Sequence, residues 1–205
     1  MSIISRVTNY GNRGKSTSRK PTPHSATQAR VKAVNDSTAE ILDVVNANDE
    51  VIGQATRGEI HAMQLLHRAV HILVFKPNDG DIYVQKRSLR KDCSPGLWDT
   101  SAAGHVDSEE TYFEAAGREL HEELSLREDT SLTEIAKLDA RSNTGFEFVR
   151  VYRCETAAEP VPDPEEISAG RWIDRGALMQ WVSRTPQDFT STFREICSMN
   201  LVWRN

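Results

Sequence analysis

The chain has 205 residues, of which 38% are hydrophobic and 27% are charged, and its formal net charge is −5. This length suits one ordinary globular domain with an added tail, and no apolar run approaches the ~20 residues that span a bilayer. The three cysteines, Cys93, Cys154 and Cys197, are far apart and lack metal-ligand spacing. We therefore expect a reducing compartment, no disulfide framework and no membrane partner.

Basic and acidic residues are unevenly distributed along the chain. Residues 1–35 hold seven Lys or Arg and no Asp or Glu, which leaves 18 basic and all 30 acidic residues in the remainder. Residues 1–36 also lack apolar periodicity, so we predict a basic, disordered tail before a domain at 37–205. We expect a cytoplasmic protein, with organelle targeting by the tail as the alternative. The acidic domain argues against a nucleic-acid partner.

Strand and helix patterns alternate through the domain without a visible repeat. Period-two or apolar β-branched runs predict strands at 41–45, 50–56, 68–75, 81–87, 132–140, 146–155 and 167–173. Helices are expected from 107 or 108 to 124, and at 177–182 and 188–202. Mixed elements with short connections predict a single α/β domain.

The stretch 104–126, GHVDSEETYFEAAGRELHEELSL, contains the most informative helix. We expect Asp107 or Ser108 to cap it, with Phe113 on its core face beside two leucines. Helical spacing gathers three carboxylates, together with the small Ala115, on another face, and these are Glu119, Glu122 and Glu123. Most Glu-rich helix faces are simply solvated. Clustered carboxylates are nevertheless the hard oxygen ligands that Mg²⁺ prefers.

The spacing of the whole stretch resembles the signature of the Nudix hydrolase family. That signature is Gly-x5-Glu-x7-Arg-Glu-apolar-x-Glu-Glu-x-Gly-apolar. The matching positions are Gly104, Glu110, Arg118, Glu119, Leu120, Glu122, Glu123 and Leu126. The one departure is Ser125, where the family has the glycine that eases a helix C-terminus. The resemblance implies an α/β/α sandwich with a mixed sheet, and a loop-helix motif that binds divalent metal.

The resemblance also implies roles for the motif residues. Glu122 and Glu123 would be the core Mg²⁺ ligands, with Mn²⁺ as an alternative ion, and Glu119 would be a further ligand or the base that activates water. The carbonyl of Ala103 would complete the metal site. Glu110 and Arg118 would hold the ligand side chains in place without binding the metal themselves. The implied reaction is hydrolysis of a nucleoside diphosphate linked to another group X, a small-molecule substrate. A homodimer is compatible with this resemblance.

Segments outside the motif resemble one branch of the family, which contains the type I isopentenyl-diphosphate isomerases and hydrolase-like relatives. The segments are HRAVHILVF, QKRS, KDCSPGLWD and SAAGHVD. In the isomerases a cysteine that takes part in proton transfer precedes the motif glycine, where this chain has Ala103. Cys93 is not at the matching place, and we interpret it as a loop or packing residue.

Further candidate site residues follow from the isomerase-like resemblance. His67 and His105 match metal-binding histidines, His61 lies one residue out of register with another, and Glu147 matches the catalytic acid. A non-ligand role for His61 and a solvent-facing Glu147 are the alternatives. His71, inside the apolar run, is interpreted as a packed or hydrogen-bonded strand residue.

Cations and late acids in the loops complete the expectations. Arg87 and Lys91 match positions that grip a diphosphate, although exposed loop cations can equally serve solubility. Glu165 and Glu166 offer the late acid that many Nudix enzymes use. The sequence therefore predicts a Mg²⁺-dependent pyrophosphohydrolase, with an isomerase or an inactive nucleotide-binding sensor as alternatives.

Overall fold

The apolar run 67–75 forms the central strand of a mixed β-sheet. In the computed structural model, the described residues are 39–77, 80–127, 131–199 and 203. The predicted disordered tail, 1–36, lies outside them. Within the described residues, no helix is both long enough and apolar enough to span a membrane.

The predicted strands and helices are all present in the predicted order, although several ends differ, and the structure adds a helix at 57–63 and short strands at 98–99 and 102–105. The strands are β1 (Ile41–Val45), β2 (Val51–Thr56), β3 (His67–Phe75), β4 (Ile82–Arg87), β5 (Trp98–Asp99), β6 (Ala102–His105), β7 (Leu132–Leu138), β8 (Glu147–Glu155) and β9 (Ile167–Ile173). The helices are α1 (Arg57–Met63), α2 (Tyr112–Leu124), α3 (Arg175–Arg184) and α4 (Ser191–Ser198). Short 3₁₀ turns occur at Ser142–Thr144 and Pro186–Asp188.

Strand pairing builds a hairpin and a larger sheet within the described residues. The hairpin is β1 with β2, and the larger sheet has the order β5-β4-β3-β8-β7, with β6 also pairing with β3 and β9 with β4. β3 and β8 run parallel, with His67 opposite Glu147, whereas the other pairs are antiparallel. The sheet is therefore mixed, as predicted.

Alternate residues of β3 enter two separate hydrophobic cores, because successive side chains of a strand point to opposite faces. Leu73 and Phe75 join one core with residues of α3 and α4, such as Leu178 and Phe193. Val70, Ile72 and Val74 join the other, with Leu120 and Leu124 of α2. Helices thus cover both faces of the sheet, which confirms the α/β/α class.

Helix α2 begins later than predicted. Its N-cap is Thr111, whose hydroxyl accepts from the N–H of Glu114 in a reciprocal capping box. Ser108 does not cap it, because the next residue, Glu109, has a left-handed φ of 68° that a helix does not include, and the Ser108 hydroxyl is bound to Asp43 at 2.9 Å. The prediction of a cap at Asp107 or Ser108 was wrong, because these residues form a turn that is held by tertiary contacts.

The faces of α2 also differ from the helical-wheel prediction. Phe113 is 58% exposed, and its ring packs against the ring of Tyr152 in a T-shaped arrangement, with the ring centroids 6.3 Å apart. Ala115, expected above the carboxylates, is fully buried in the core below α2. The late start of α2 leaves Phe113 in its first turn, outside the core. At the other end, Ser125 closes the helix with φ 53°.

Candidate active site

Arg118 joins the motif loop to the acidic face of α2. Its Nε and Nη2 donate to Glu110 at 3.0 and 2.8 Å. Its Nη1 donates to Glu119 at 2.7 Å and to Glu122 at 3.2 Å. Nη2 also donates to the backbone carbonyl of His105 at 3.0 Å. The Arg118 guanidinium therefore contacts Glu110 of the loop as well as Glu119 and Glu122 of the helix.

Glu119 lies directly against the backbone of Gly104. A Cβ atom at residue 104 would stand 1.9 Å from Glu119 Oε1 and 2.1 Å from its Cδ, so the carboxylate occupies the space of a missing side chain. Burial raises the pKa of Glu119 to about 7, against the lowering effect of Arg118. The motif glycine is therefore required by close approach of a buried acid.

Glu123 is the most deeply buried of the three acids, with 2% of its surface exposed. Its Oε2 accepts from Gln85 Nε2 at 2.9 Å and from the N–H of Ala103 at 3.0 Å. Burial, and then the neighbouring charge of Glu119, raises the pKa of Glu123 to about 8. Two adjacent buried carboxylates repel one another unless a proton or a cation joins them.

The oxygen donors of this site fit a hard divalent cation. The Glu122 side chain is 58% exposed, whereas the next residue, Glu123, is buried. The cluster therefore has carboxylate oxygens both inside the protein and at its surface. Lys91 Nζ, 3.9 Å from Glu123 Oε1, supplies a positive charge beside the buried acid. Mg²⁺ takes a few carboxylates and keeps waters or phosphate oxygens as its other ligands. The residues present therefore suit Mg²⁺.

Three histidines and Glu147 form a second cluster, at the end of the sheet where β3 and β8 begin. His61 lies on α1, His67 begins β3, His105 ends β6 and Glu147 begins β8. The Nε2 atoms of His61 and His105 are 3.4 Å apart, and Glu147 Oε1 lies 3.6 Å from His67 Nε2 and 3.5 Å from His105 Nε2. The structure thus brings together the histidines and the acid that the isomerase-like segments suggested, and Glu147 does not face open solvent.

The second cluster contains a buried ring nitrogen without a hydrogen-bond partner among the described residues, on His67. Its Nδ1 donates to the carbonyl of Leu65 at 2.9 Å, so a neutral ring has a bare lone pair on Nε2. That buried Nε2 has no hydrogen-bond partner among the described residues, and it faces a carboxylate oxygen of Glu147. A proton or a metal ion between the two groups would remove this conflict. Imidazole nitrogens with one carboxylate form a donor set suited to a transition metal.

The pKa values of this cluster move in the opposite direction to those of the α2 acids. Burial alone would raise the pKa of Glu147, but the neighbouring His105 and His67 side chains lower it well below its usual range. Burial lowers the pKa of His105 to about 4, against the effect of Glu147. Burial also lowers the pKa of His61.

The predicted diphosphate-binding cations occupy different positions. Lys91 pairs with Glu166 and lies near Glu123, so it reaches the α2 acids. The Arg87 side chain instead donates to the carbonyl of Cys93 at 3.1 Å and to Asp99 at 3.4 Å. Of the two cations, only Lys91 therefore contacts the carboxylate cluster directly.

Sequence reasoning missed several polar residues that surround these clusters. Gln85 holds Glu123, and its only sequence signal was an inward position in a period-two strand. Asp92 and Cys93 lie behind His61, with Asp92 Oδ2 at 4.0 Å and Cys93 Sγ at 3.7 Å from His61 Nδ1. Cys93, interpreted as a loop residue, therefore contacts the histidine cluster from outside. Burial raises the pKa of its thiol, so the neutral form is favoured.

Comparison with known proteins adds family information to this geometry. A family model described as NUDIX domain matches residues 65–192. Isopentenyl-diphosphate Delta-isomerase 2 of Photorhabdus laumondii is 33% identical over 162 residues, which cover 77% of this chain and 90% of the relative. A Nudix hydrolase of Deinococcus radiodurans is 35% identical over 135 residues, which cover 65% of this chain and 78% of the relative. The crystal structure of DR0079 from the same organism aligns with a TM-score of 0.63 at 32% identity, covering 71% of this chain and 90% of that one.

Proposed function

Because the chain belongs to the NUDIX domain family, we propose that it is a Mg²⁺-dependent hydrolase of a small diphosphate. The bond cleaved is the diphosphate bond of a nucleoside diphosphate linked to another group X, or of a related compound. Nudix enzymes generally use divalent metal ions, and hydrolases are among the relatives of this chain. The activity, the ion and the substrate class are the parts of this proposal that need an experiment.

The main support is the pair of buried carboxylates, Glu119 and Glu123, against the strand that ends in Gly104 and His105. Both have raised pKa values because they are buried side by side, which is unfavourable unless a cation is nearby. A solvated acidic face, the ordinary alternative, would leave these side chains exposed with their usual pKa values. Their burial therefore favours a site over a solubilising surface.

The proposed division of labour follows from the contacts of each residue. Glu119, Glu122, Glu123 and the Ala103 carbonyl hold the ion, while Arg118 and Glu110 keep the acids in place. Bound Mg²⁺ would neutralise the diphosphate and lower the pKa of water. Lys91 and Arg87 bind phosphate oxygens in place of their acidic partners, which are Glu166 for Lys91 and Asp99 for Arg87. Glu119 or Glu147 would take the proton of a water that attacks one phosphorus, and the bond between that phosphorus and the bridging oxygen breaks, which gives two phosphate-bearing products.

A second candidate function is isomerisation of isopentenyl diphosphate. The observation in its favour is the cluster of His61, His67, His105 and Glu147, which matches the isomerase-like segments, and several relatives are isomerases. Ala103 counts against it, because a methyl group cannot exchange a proton with a double bond. Cys93 does not replace the missing thiol in this geometry, since it contacts His61 from the outer side.

Product analysis on a panel of diphosphates tests the proposal. The panel contains nucleotide sugars, dinucleotides, nucleoside triphosphates and isopentenyl diphosphate, each assayed with Mg²⁺ for released phosphate-bearing products. We expect cleavage by the wild type and by Glu109→Gln, an exposed acid outside the cluster, and loss of about a hundredfold or more in Glu122→Gln. Isomerised but uncleaved isopentenyl diphosphate would establish the second candidate instead. Tight nucleotide binding without turnover would indicate a sensor.

A further inference from the structure

The loop between β4 and β5 carries two side chains that face the outer side of His61 on α1. Cys93 Sγ lies 3.7 Å from His61 Nδ1, and Asp92 Oδ2 lies 4.0 Å from the same nitrogen. One ligand atom from each of the three residues lies within 4.8 Å of the others. An imidazole, a thiol and a carboxylate therefore meet at one place, and we call His61, Asp92 and Cys93 the outer trio.

The outer trio is separate from the histidine cluster around Glu147. His61 turns its Nε2 toward His105, 3.4 Å away, and its Nδ1 toward the loop. The two nitrogens of an imidazole lie on different edges of the ring, and each can bind a proton or a metal ion. The His61 ring therefore stands between an inner and an outer set of donor groups.

Hydrogen bonds orient the Asp92 carboxylate toward His61. Its Oδ1 accepts from Arg57 Nη2 at 2.7 Å and from the N–H of Cys93 at 2.9 Å. These two bonds engage one oxygen, while the other, Oδ2, faces His61. Arg57 begins the helix that carries His61, so the same contact also holds the loop against α1. Supporting hydrogen bonds of this kind orient the carboxylates that bind metals in proteins.

The outer trio can be reached from the solvent. The side chains of Asp92 and His61 are 47% and 24% exposed, and Cys93 is an exposed free cysteine. The other two cysteines, Cys154 and Cys197, are buried in the two hydrophobic cores. A metal site needs an entry path for the ion. Of the three thiols, only that of Cys93 combines such a path with neighbouring ligand groups.

The spacing of the outer trio is close to that of a tetrahedral zinc site. Zinc bonds of about 2.3 Å to sulfur and about 2.0–2.1 Å to nitrogen or oxygen place a ligand sulfur about 3.6 Å, and a ligand oxygen about 3.4 Å, from a ligand nitrogen. The 3.7 Å between Cys93 and His61 matches the first value, and Asp92 must move by only about half an ångström to reach the second. Thiolate and imidazole suit Zn²⁺, whereas Mg²⁺ prefers oxygen ligands alone.

We propose that His61, Asp92 and Cys93 form a binding site for a thiophilic divalent cation of the zinc type, with water as the fourth ligand. The site lies apart from the carboxylates of α2, and it does not depend on the proposed hydrolase activity. The Cys93 thiol gives up its proton when it binds the ion. An ion on His61 Nδ1 leaves the proton of the neutral ring on Nε2, facing His105. Occupation of the outer trio therefore withdraws His61 from the histidine cluster as a metal ligand.

Titration of the reduced full-length chain with Co²⁺, in excess Mg²⁺, tests this proposal. The readout is the near-ultraviolet charge-transfer band from thiolate to cobalt. This band reports sulfur-bound cobalt alone, so an ion held by histidines or carboxylates does not contribute to it. Cys93→Ser, Asp92→Asn and His61→Gln each remove one ligand. Glu147→Gln is the matched control, because it changes the histidine cluster and leaves the outer trio intact. Thermal unfolding checks that each variant is folded.

We expect the wild type to develop the band, and we expect Zn²⁺ but not Mg²⁺ to displace the cobalt. Cys93→Ser should abolish the band, although the two buried cysteines remain. Asp92→Asn and His61→Gln should each weaken Co²⁺ binding at least tenfold, which is a loss typical even of residues that only support a ligand. Glu147→Gln should change the binding less than twofold.

Two results would overturn the inference. If the wild type shows no band and binds Co²⁺ as Cys93→Ser does, the thiol is not a ligand and cobalt binds at other groups. If the band persists at full strength in His61→Gln, cobalt binds to the exposed thiol alone or between two molecules, and the outer trio is not a site.

Discussion

The carboxylate cluster on α2 and the histidine cluster around Glu147 are both buried, but their electrostatics are opposite. In the first, Glu119 and Glu123 stand side by side, and their pKa values rise to about 7 and about 8 because of burial. In the second, His67 and His105 lie beside the single carboxylate of Glu147 and lower its pKa. The first cluster thus buries two carboxylates side by side, whereas the second sets a single carboxylate among imidazole rings.

This difference suggests that the two clusters depend on a cation to different degrees. The α2 acids need an external positive charge to ionise together, which is what a diphosphate-hydrolysing site would exploit. The histidine cluster can bind a proton as well as a metal ion, because imidazole binds either. Changes that act on one cluster and spare the other therefore test the comparison.

The largest expected effect comes from Glu123→Gln. A glutamine oxygen can still accept from Gln85 and from the N–H of Ala103, so the fold should persist while the negative charge is lost. We expect hydrolysis of the best diphosphate to fall by about 10² to 10³, with the apparent affinity for Mg²⁺ reduced. Steady-state kinetics at varied Mg²⁺ measure both quantities. Unchanged turnover would mean that Glu123 is a structural acid.

Gly104→Ala should disturb the same cluster sterically. The new Cβ would overlap the Glu119 carboxylate, which must then move away from its partner Arg118. We expect the free energy of unfolding to fall by about 2 kcal/mol, together with a large loss of activity. Chemical denaturation measures the first quantity.

Gly53→Ala is the matched control for that substitution. Gly53 also lies in a strand, but a Cβ there meets no heavy atom within 4 Å. Its stability should change by less than about 1 kcal/mol, and activity should be retained. Similar losses in both variants would point to strand propensity instead of the Glu119 contact.

The stability of the metal-free protein should fall as the pH rises from about 4.5 to about 8. Raised pKa values mean that folded Glu119 and Glu123 bind protons more tightly than the unfolded chain. Their stabilisation is present below about pH 4.5 and is lost as the pH rises to about 8. His105, with its pKa lowered to about 4, contributes in the opposite sense, because its stabilisation is lost as the pH falls from 6.5, and it offsets only one of the two carboxyl groups. The net fall should amount to on the order of 4 kcal/mol.

Denaturation midpoints across pH 4–9 check this behaviour and assign its causes. Glu123→Gln should reduce the fall, because only Glu119 then contributes to it, and His105→Gln should make the fall steeper between about pH 4 and 6.5. Added Mg²⁺ should raise stability more at pH 8 than at pH 5, because it binds the ionised acids. A flat profile in wild type would contradict the electrostatic contrast between the clusters.

The smallest expected effect concerns the helix end beside the carboxylate cluster. Ser125 adopts φ 53° at an exposed C-cap, a conformation that glycine adopts without steric cost. Ser125→Gly should raise the free energy of unfolding by about 0.5–1 kcal/mol. Activity should not change, because Ser125 carries no ligand group. Thermal melts compare it with wild type, and a lower melting temperature would show that Ser125 makes a compensating contact.

Sequence reasoning succeeded where the signal is local. The apolar run of β3, the period-two pattern of β4 and the motif spacing on α2 were each readable from neighbouring residues, and the strands and the mixed α/β class were confirmed. It failed at the start of α2, where Ser108 is engaged by Asp43, sixty-five residues earlier. The exposed Phe113 was missed for a related reason, since a helical wheel places it beside Leu120 but does not show how far along the helix the core extends.

The sequence by itself determined the order of the predicted elements and the helical spacing of Glu119, Glu122 and Glu123. These depend on contacts between residues that are close along the chain. Only the tertiary structure decided that Glu119 and Glu123 are buried while Glu122 remains accessible. It also brought four separate elements together around Glu147 and turned His71 toward Asp99. The reason is physical: burial and pKa depend on which strands pair and in what register, and that is set by packing across the whole sheet.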